Sequence, residues 1–118
     1  MPDRVLCQSG DLLERGLAQR FTLQWGGRER SAFVLRYDGR VYAYINECAH
    51  IPIEMDFNPG DLFDLSRSWL VCSTHGAYYA PNTGLCLGGP CPGRKLISLP
   101  VREIADQVCL IEDKTQHE

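Results

Sequence analysis

The chain has 118 residues, of which 44% are hydrophobic and 23% are charged, and its formal net charge is −3. This composition suits a packed core and argues against disorder, while the mild negative charge and the lack of a basic run disfavour nucleic-acid binding. We expect a single domain over residues 1–118, because this length suits one core and leaves little for a second.

No segment of the sequence approaches the ~20 apolar residues that a membrane span needs, and the first residues lack an apolar stretch of signal-peptide length. We therefore expect a soluble, cytoplasmic protein that does not bind membranes. Because the cytoplasm keeps thiols reduced, the six cysteines are interpreted as metal ligands and core residues rather than as a disulfide framework.

Short alternating or apolar runs separated by turn signals predict an all-β chain. The predicted strands are, in order, 20–25, 31–37, 40–45, 69–72, 77–80, 85–87, 95–100 and 107–112. Between the second and third of them, Asp38-Gly39 is a strong signal for a tight hairpin. The helical signal amounts to one turn over 10–15. The expected architecture is an antiparallel β-sandwich.

The stretch 46–68 has few strand signals and contains Pro52, Pro59 and Gly60. A loop of this length in so small a domain is normally functional or disordered. Its acidic residues, including Asp56, are interpreted as a solvated face, with a docking surface as the alternative.

Two short runs contain the residues with distinctive chemistry, Cys48-Ala-His50 and Cys72-Ser-Thr-His75-Gly76. Each run places one thiolate and one imidazole within four residues of a predicted loop. Four such ligands from two loops can hold a metal centre. A zinc site with two cysteines and two histidines has the same ligand set, but zinc-finger spacing separates the cysteine pair from the histidine pair. Here each pair mixes the two residue types.

This order of ligands resembles the Rieske iron–sulfur family, in which two cysteines bind one iron of a [2Fe–2S] cluster and two histidines bind the other. The resemblance implies one such cluster, with Cys48 and Cys72 on the inner iron and His50 and His75 on the outer iron. It also implies a Rieske-type sandwich with a small two-loop cluster-binding subdomain at one end, at about 46–93. The exposed histidines of that family make His50 and His75 the expected point of electron exchange.

Four positions indicate which type of Rieske protein the chain resembles. High-potential members have a bridging cysteine in each ligand loop, where this chain has Ile53 and Thr74, so that disulfide cannot form. They also have a serine and a tyrosine that donate hydrogen bonds to sulfur, and the corresponding residues here are Ala77 and Tyr79. Hydrogen bonds to sulfur tune the reduction potential. We therefore expect the ferredoxin type, with a potential in the lower part of the class range.

A third loop, Gly88-Gly-Pro90, resembles the proline-containing loop that covers the cluster in the family, and its glycines permit close backbone approach. Cys86 and Cys91 flank this loop. They are interpreted as small apolar core residues, with a redox-labile pair as the alternative.

The chain has three histidines, of which two belong to the motifs, so a 2-His-1-carboxylate iron site cannot be completed. No glycine fingerprint for a nicotinamide or flavin is present either. We therefore expect no enzyme but a monomeric one-electron carrier, similar to the Rieske ferredoxins of ring-hydroxylating dioxygenase systems. The resemblance implies a flavoprotein reductase as electron donor and a terminal oxygenase as acceptor. The alternatives are the small Rieske-like subunit of an assimilatory nitrite reductase and a redox-sensing binding module.

Overall fold

The computed structural model describes residues 3–49, 53–56, 58–74 and 76–111, and within them the chain forms ten strands and one 3₁₀ turn, Ser9–Asp11. The strands are β1 (Arg4–Gln8), β2 (Gln19–Trp25), β3 (Arg28–Tyr37), β4 (Arg40–Ile45), β5 (Leu70–Val71), β6 (Tyr78–Tyr79), β7 (Cys86–Gly88), β8 (Ser98–Leu99), β9 (Val101–Ile104) and β10 (Gln107–Leu110). They form three antiparallel sheets, ordered β1-β10-β9, β2-β3-β4-β8 and β5-β6-β7. The predicted all-β, antiparallel fold is confirmed.

The β2-β3-β4-β8 sheet has an apolar core on each face, because successive side chains of β3 point to opposite sides. Ala32 and Val34 belong to the core that includes residues of β10, whereas Phe33 and Leu35 belong to the core that includes Tyr79. Since both faces are covered, β3 is a continuous apolar run in its second half and not an alternating one. The core that includes Tyr79 also contains the cysteines of both motifs, Cys48 and Cys72, so the candidate site packs against this face of the sheet.

The hairpin predicted at Asp38-Gly39 is confirmed. Tyr37 pairs with Arg40 across the turn, and the φ angles of Asp38 and Gly39 are 52° and 78°. Two positive φ angles in a two-residue loop match the twist of the flanking strands. The turn therefore fixes the register of β3 against β4, and with it the point at which β4 ends before Cys48.

Some elements differ from the sequence prediction. The strands β1 and β9 were not predicted, and the helical turn predicted over 10–15 is the 3₁₀ turn Ser9–Asp11. The predicted strand 95–100 is reduced to β8, because Lys95 makes an isolated bridge to Leu85 instead of joining the β4–β8 pairing.

No helix in the described part of the chain is long and apolar enough to cross a membrane.

Candidate metal centre

Each predicted cysteine ligand begins a short loop that is closed by the same type of hydrogen bond. Cys48 follows β4, and its N–H donates to the carbonyl of Ile53 over 2.9 Å. Cys72 follows β5, and its N–H donates to the carbonyl of Ala77 over 2.8 Å. In both loops the acceptor lies five positions after the cysteine (48 to 53 and 72 to 77). Two loops that leave different sheets therefore have matching frames.

Both cysteines are buried in one core, with exposed fractions of 3% for Cys48 and 0% for Cys72. The second loop is attached to the long loop by a hydrogen bond of 2.9 Å from the N–H of Ser73 to the carbonyl of Met55. All six cysteines lie within the described residues, and none of them forms a disulfide. A buried thiolate is costly unless a cation offsets its charge, which a metal centre does.

His50 and His75 lie outside the described residues. By sequence, each falls inside one of the two closed loops, after the buried cysteine and before the residue whose carbonyl closes the loop. Among the described residues there is no group of three or more potential ligands that could hold a metal ion. The two buried cysteines together with His50 and His75, which the motifs predict as the other two ligands, make a donor set of two sulfurs and two nitrogens, and this set fits a Rieske cluster.

Tyr79, on β6, points its phenol group at the first ligand loop. Its oxygen lies 3.3 Å from Cys48 Sγ and 3.5 Å from Cys91 Sγ, and it accepts a hydrogen bond of 3.0 Å from the N–H of Ala49. Burial, assisted by the contacts with the two sulfurs, raises the pKa of Tyr79 well above its ordinary value. The phenol therefore stays protonated at physiological pH and can donate a hydrogen bond to sulfur.

Cys86 and Cys91 lie side by side beneath the third loop, with their sulfurs 3.1 Å apart. This distance is about 1 Å longer than a disulfide bond, and the structure has both residues as free cysteines. The Cys86 thiol donates to the carbonyl of Gly88 over 3.1 Å, and burial raises its pKa. Both side chains are buried, as the core interpretation predicted. Their mutual contact and the contact of Cys91 with Tyr79 were not predicted.

The second and third loops touch through their backbones. Gly89 has a φ of 88°, and a Cβ at this position would lie 2.7 Å from the Cα of Ala77. Only glycine allows this approach. Gly76 also has a positive φ, 73°, and its N–H donates to the carbonyl of Cys72 over 2.9 Å. Pro90 is exposed beside Gly89. The third loop thus lies against the loop of Cys72, as expected for a cover over a site at this end.

The long loop is held by a buried polar network that the sequence analysis missed. The side chain of Asp56 is fully buried and accepts hydrogen bonds of 2.8 Å from Asn46 Nδ2 and from the N–H of Gly60. Asn46 Oδ1 in turn accepts a bond of 2.9 Å from the N–H of Met55. The interpretation of Asp56 as part of a solvated face was therefore wrong. The sequence feature that could have indicated this network is Asn46, a polar residue directly after β4, followed by a carboxylate in the loop.

A surface groove of about 450 Å³ lies directly beside the first ligand loop. It is lined by Glu47, Cys48, Ala49, Arg94, Lys95 and Ile97. Arg94 Nη1 donates to the carbonyl of Ala49 over 3.3 Å, so a positive charge is attached to this loop. The groove combines an apolar side chain with charges of both signs at the edge of the candidate centre.

A sequence profile of the Rieske [2Fe-2S] domain matches residues 4–105. A search of curated protein sequences gave no significant match. Among solved structures, the ferredoxin of carbazole 1,9a-dioxygenase from Nocardioides aromaticivorans IC177 has a TM-score of 0.70 at 18% identity, over 94% of this chain and 98% of that chain. The Sphingomonas yanoikuyae B1 ferredoxin has a TM-score of 0.67 at 19% identity, over 93% and 98%.

A structure described as the reduced complex between oxygenase and ferredoxin in carbazole 1,9a-dioxygenase gives a TM-score of 0.71 at 22% identity. The match covers 92% of this chain but only 28% of the matched chain. At these identities, the structural similarities establish the fold. Together with the domain match, they confirm the Rieske-type architecture that the sequence predicted.

Proposed function

Because the chain belongs to the Rieske [2Fe–2S] domain family, it holds one cluster of that type, and we propose that it is a soluble one-electron carrier. In this proposal Cys48 and Cys72 bind the inner iron, and His50 and His75 bind the outer iron. The cluster supplies reversible one-electron chemistry. The chain buries the two cysteine ligands, offers the phenol of Tyr79 to Cys48 Sγ and covers one side with the loop of Gly89.

The observation that carries the ligand assignment is the matching frame of the two loops. Each frame buries its cysteine and encloses its histidine in sequence, and the frames are joined through Ser73 and Met55. Gly76 and Pro90 are proposed to shape the second and third loops around the centre. The cluster-binding part, at about 46–93, would form one folding unit with the rest of the single domain, because metal binding and folding are coupled in small domains.

The carrier role is supported by the solved structures that the chain resembles. The ferredoxins from Nocardioides and Sphingomonas share its fold with TM-scores of 0.70 and 0.67, and the former is the ferredoxin of carbazole 1,9a-dioxygenase. We propose a cytoplasmic monomer that accepts electrons from a flavoprotein reductase and delivers them to a terminal oxygenase.

Two other functions are weighed against the carrier. A subunit of an assimilatory nitrite reductase would co-purify stably with a large flavin and sirohaem protein. A thiol-based redox sensor would need a reactive cysteine pair. The buried state of Cys86 and Cys91 and the raised pKa of Cys86 disfavour that role, because reactive cysteines are exposed and have lowered pKa values.

Metal analysis of the purified protein, combined with anaerobic absorption and electron paramagnetic resonance spectra before and after reduction, tests the cluster. We expect two irons and two sulfides per chain and a Rieske-type signal on reduction. The variants His50→Ala and His75→Ala should abolish the signal, while His117→Ala, in the charged tail, should retain it. Stoichiometric zinc without iron, even after reconstitution, would reject the cluster.

The carrier role needs a separate experiment. Reduced protein is mixed with a terminal oxygenase of a ring-hydroxylating system, and its reoxidation is followed optically in the presence of the aromatic substrate. A flavoprotein reductase with a nicotinamide donor should reduce it again. We expect turnover with substoichiometric amounts of this chain. Reoxidation without product, or no reaction with any such reductase, would count against a carrier of this type.

A further inference from the structure

Four side chains form a continuous line of contacts from the third loop to the first ligand loop. Cys86 Sγ lies 3.1 Å from Cys91 Sγ, Cys91 Sγ lies 3.5 Å from the phenolic oxygen of Tyr79, and that oxygen lies 3.3 Å from Cys48 Sγ. All four side chains are buried in the same core. The function proposed above uses only the last of these three contacts.

One arrangement of the hydrogens along this line satisfies all three contacts. The Cys86 thiol donates to the carbonyl of Gly88, and the Cys91 thiol donates to Cys86 Sγ. In this arrangement both thiol hydrogens point away from Tyr79, and in the contact between Tyr79 and Cys91, where either atom can donate, Cys91 Sγ is the acceptor. The phenolic oxygen already accepts the N–H of Ala49. Tyr79 thus has a single hydrogen and two sulfur acceptors at nearly equal distances.

We propose that Cys91 is a positioning residue that lowers the reduction potential of the cluster by competing with Cys48 for the hydrogen of Tyr79. The inference rests on the proposed role of Cys48 as a ligand, whose thiolate can only accept. A hydrogen bond to a ligand sulfur stabilises the reduced, more negative state and so raises the potential. While the phenolic hydrogen of Tyr79 points at Cys91 Sγ, it does not bond to Cys48 Sγ. The time-averaged hydrogen bond to Cys48 is therefore weaker.

The decisive measurement is the midpoint potential of the holoprotein by protein-film voltammetry. Cys91→Ala removes the competing acceptor, so its potential should rise. At the midpoint potential of the unmodified protein, we expect the ratio of reduced to oxidised cluster to increase about threefold, which is a shift of about 30 mV for one electron. Cys109→Ala, a buried cysteine on β10 outside this core, is the matched control and should leave the potential unchanged.

A double-mutant cycle separates competition from simple distortion of the loop. Tyr79→Phe removes the shared hydrogen and should lower the potential. In the Tyr79→Phe background, Cys91→Ala should then have no effect. If Cys91→Ala shifts the potential equally in both backgrounds, or does not raise it when Tyr79 is present, the competition does not exist.

A second variant covers the case in which Cys91→Ala fails to retain its cluster. Cys86→Ala takes away the acceptor of the Cys91 thiol, whose hydrogen is then free to turn to the phenolic oxygen of Tyr79. The phenolic hydrogen should then be directed at Cys48, and the potential should rise. An unchanged or lower potential in Cys86→Ala would overturn the proposal.

Failure of this inference can be distinguished from failure of the ligand assignment. If Cys48→Ala retains a complete cluster with an unchanged spectrum, Cys48 is not a ligand and the function proposed for it is wrong. If Cys48→Ala loses the cluster but the cycle shows no coupling between Cys91 and Tyr79, the ligand assignment stands and only the competition is rejected.

Discussion

Asn46 Nδ2 donates a hydrogen bond of 2.8 Å to the buried carboxylate of Asp56, and this contact joins the two ends of the segment that contains Cys48, the proposed ligand. Asp56 Oδ2 accepts the N–H of Gly60, and Arg20 Nε lies 3.5 Å from the same oxygen. Both carboxylate oxygens therefore face donors. The network holds the backbone of the long loop in place, and with it the positions of Cys48 and of the Met55 carbonyl.

Replacing Asp56 with Asn should destabilise the protein and loosen the cluster. An amide has one acceptor oxygen, so its NH₂ group would face either Asn46 or the N–H of Gly60, which leaves a buried donor unpaired at a cost of about 1–3 kcal/mol. We expect a lower melting temperature and faster bleaching of the cluster by a chelator. Asp61→Asn, at an exposed carboxylate in the same loop, is the control. Equal behaviour of the two variants would show that the network is dispensable.

Gly89→Ala should separate the second and third loops. The new Cβ would combine a positive φ of 88° with a contact of 2.7 Å to the Cα of Ala77, and the neighbouring backbone must move. Gly93 has nearly the same φ, 86°, and a Cβ there would meet no atom within 4 Å. Gly93→Ala should therefore cost only the strain of a left-handed residue, about 1 kcal/mol, and Gly89→Ala about 2–4 kcal/mol.

Thermal melting and the rate of cluster loss to a chelator compare these two glycine variants. Gly89→Ala should melt lower and lose its cluster faster than Gly93→Ala. If the two variants behave alike, conformational strain accounts for the whole effect. The third loop would then not be held against the loop of Cys72.

The strands predicted at 20–25, 31–37 and 40–45 correspond closely to β2, β3 and β4, because alternation and the Asp38-Gly39 turn are local signals. The strand β9 was missed for a local reason too. Its hairpin to β10 turns at Ala105-Asp106, with φ angles of 53° and 65°, and alanine is an unusual residue for a left-handed turn. The strand β1 is interrupted by a bulge, and within the described residues it pairs with the distant β10, a pairing that no local pattern reveals.

In the candidate site, too, the local features were predicted and the contacts between distant segments were not. The two cysteine-histidine motifs predicted two loops that begin at Cys48 and Cys72, and the structure contains both loops. The ligand roles of the four motif residues stay a prediction. The only sequence signal for the burial of Asp56 was Asn46 directly after β4, because its partners Asn46, Gly60 and Arg20 come from separate segments. The contacts of Tyr79 with Cys48 and of Cys91 with Cys86 arise where the third sheet packs on the first ligand loop. They depend on tertiary packing, for which a single sequence contains no period or motif.

Arg94→Gln should lower the reduction potential modestly. The guanidinium of Arg94 donates to the carbonyl of Ala49, next to Cys48, and favours the more negative, reduced state of the centre. A unit charge about 8 Å away in water is worth about 0.5 kcal/mol, or about 20 mV for one electron. The shift should shrink at high salt because the charge is exposed. Voltammetry at two ionic strengths measures it, with Arg40→Gln, in the β3–β4 hairpin, as the control. A shift that is independent of salt would indicate loop distortion instead.

Glu103→Gln should destabilise the fold in a pH-dependent way. Arg36 on β3 donates to both carboxylate oxygens of Glu103 on β9, over 3.1 and 2.7 Å, and so joins two sheets. These bonds lower the pKa of Glu103 from its ordinary value of 4.5 to about 2. Because the folded-state pKa is lower than the unfolded one, the contribution to stability is complete above pH 4.5 and disappears as the pH falls towards 2.

The pH profile of this variant is a sharper test than its stability at one pH. Since Glu103 is partly exposed, solvent screening limits the loss to about 1 kcal/mol at pH 7. Urea unfolding of wild type and Glu103→Gln should differ by a constant amount from pH 8 to about 5, and the difference should narrow below that range. Glu29→Gln, at an exposed position of β3, should match wild type throughout. A difference between wild type and Glu103→Gln that persists undiminished to pH 3 would show that Glu103 acts through packing and not through its charge.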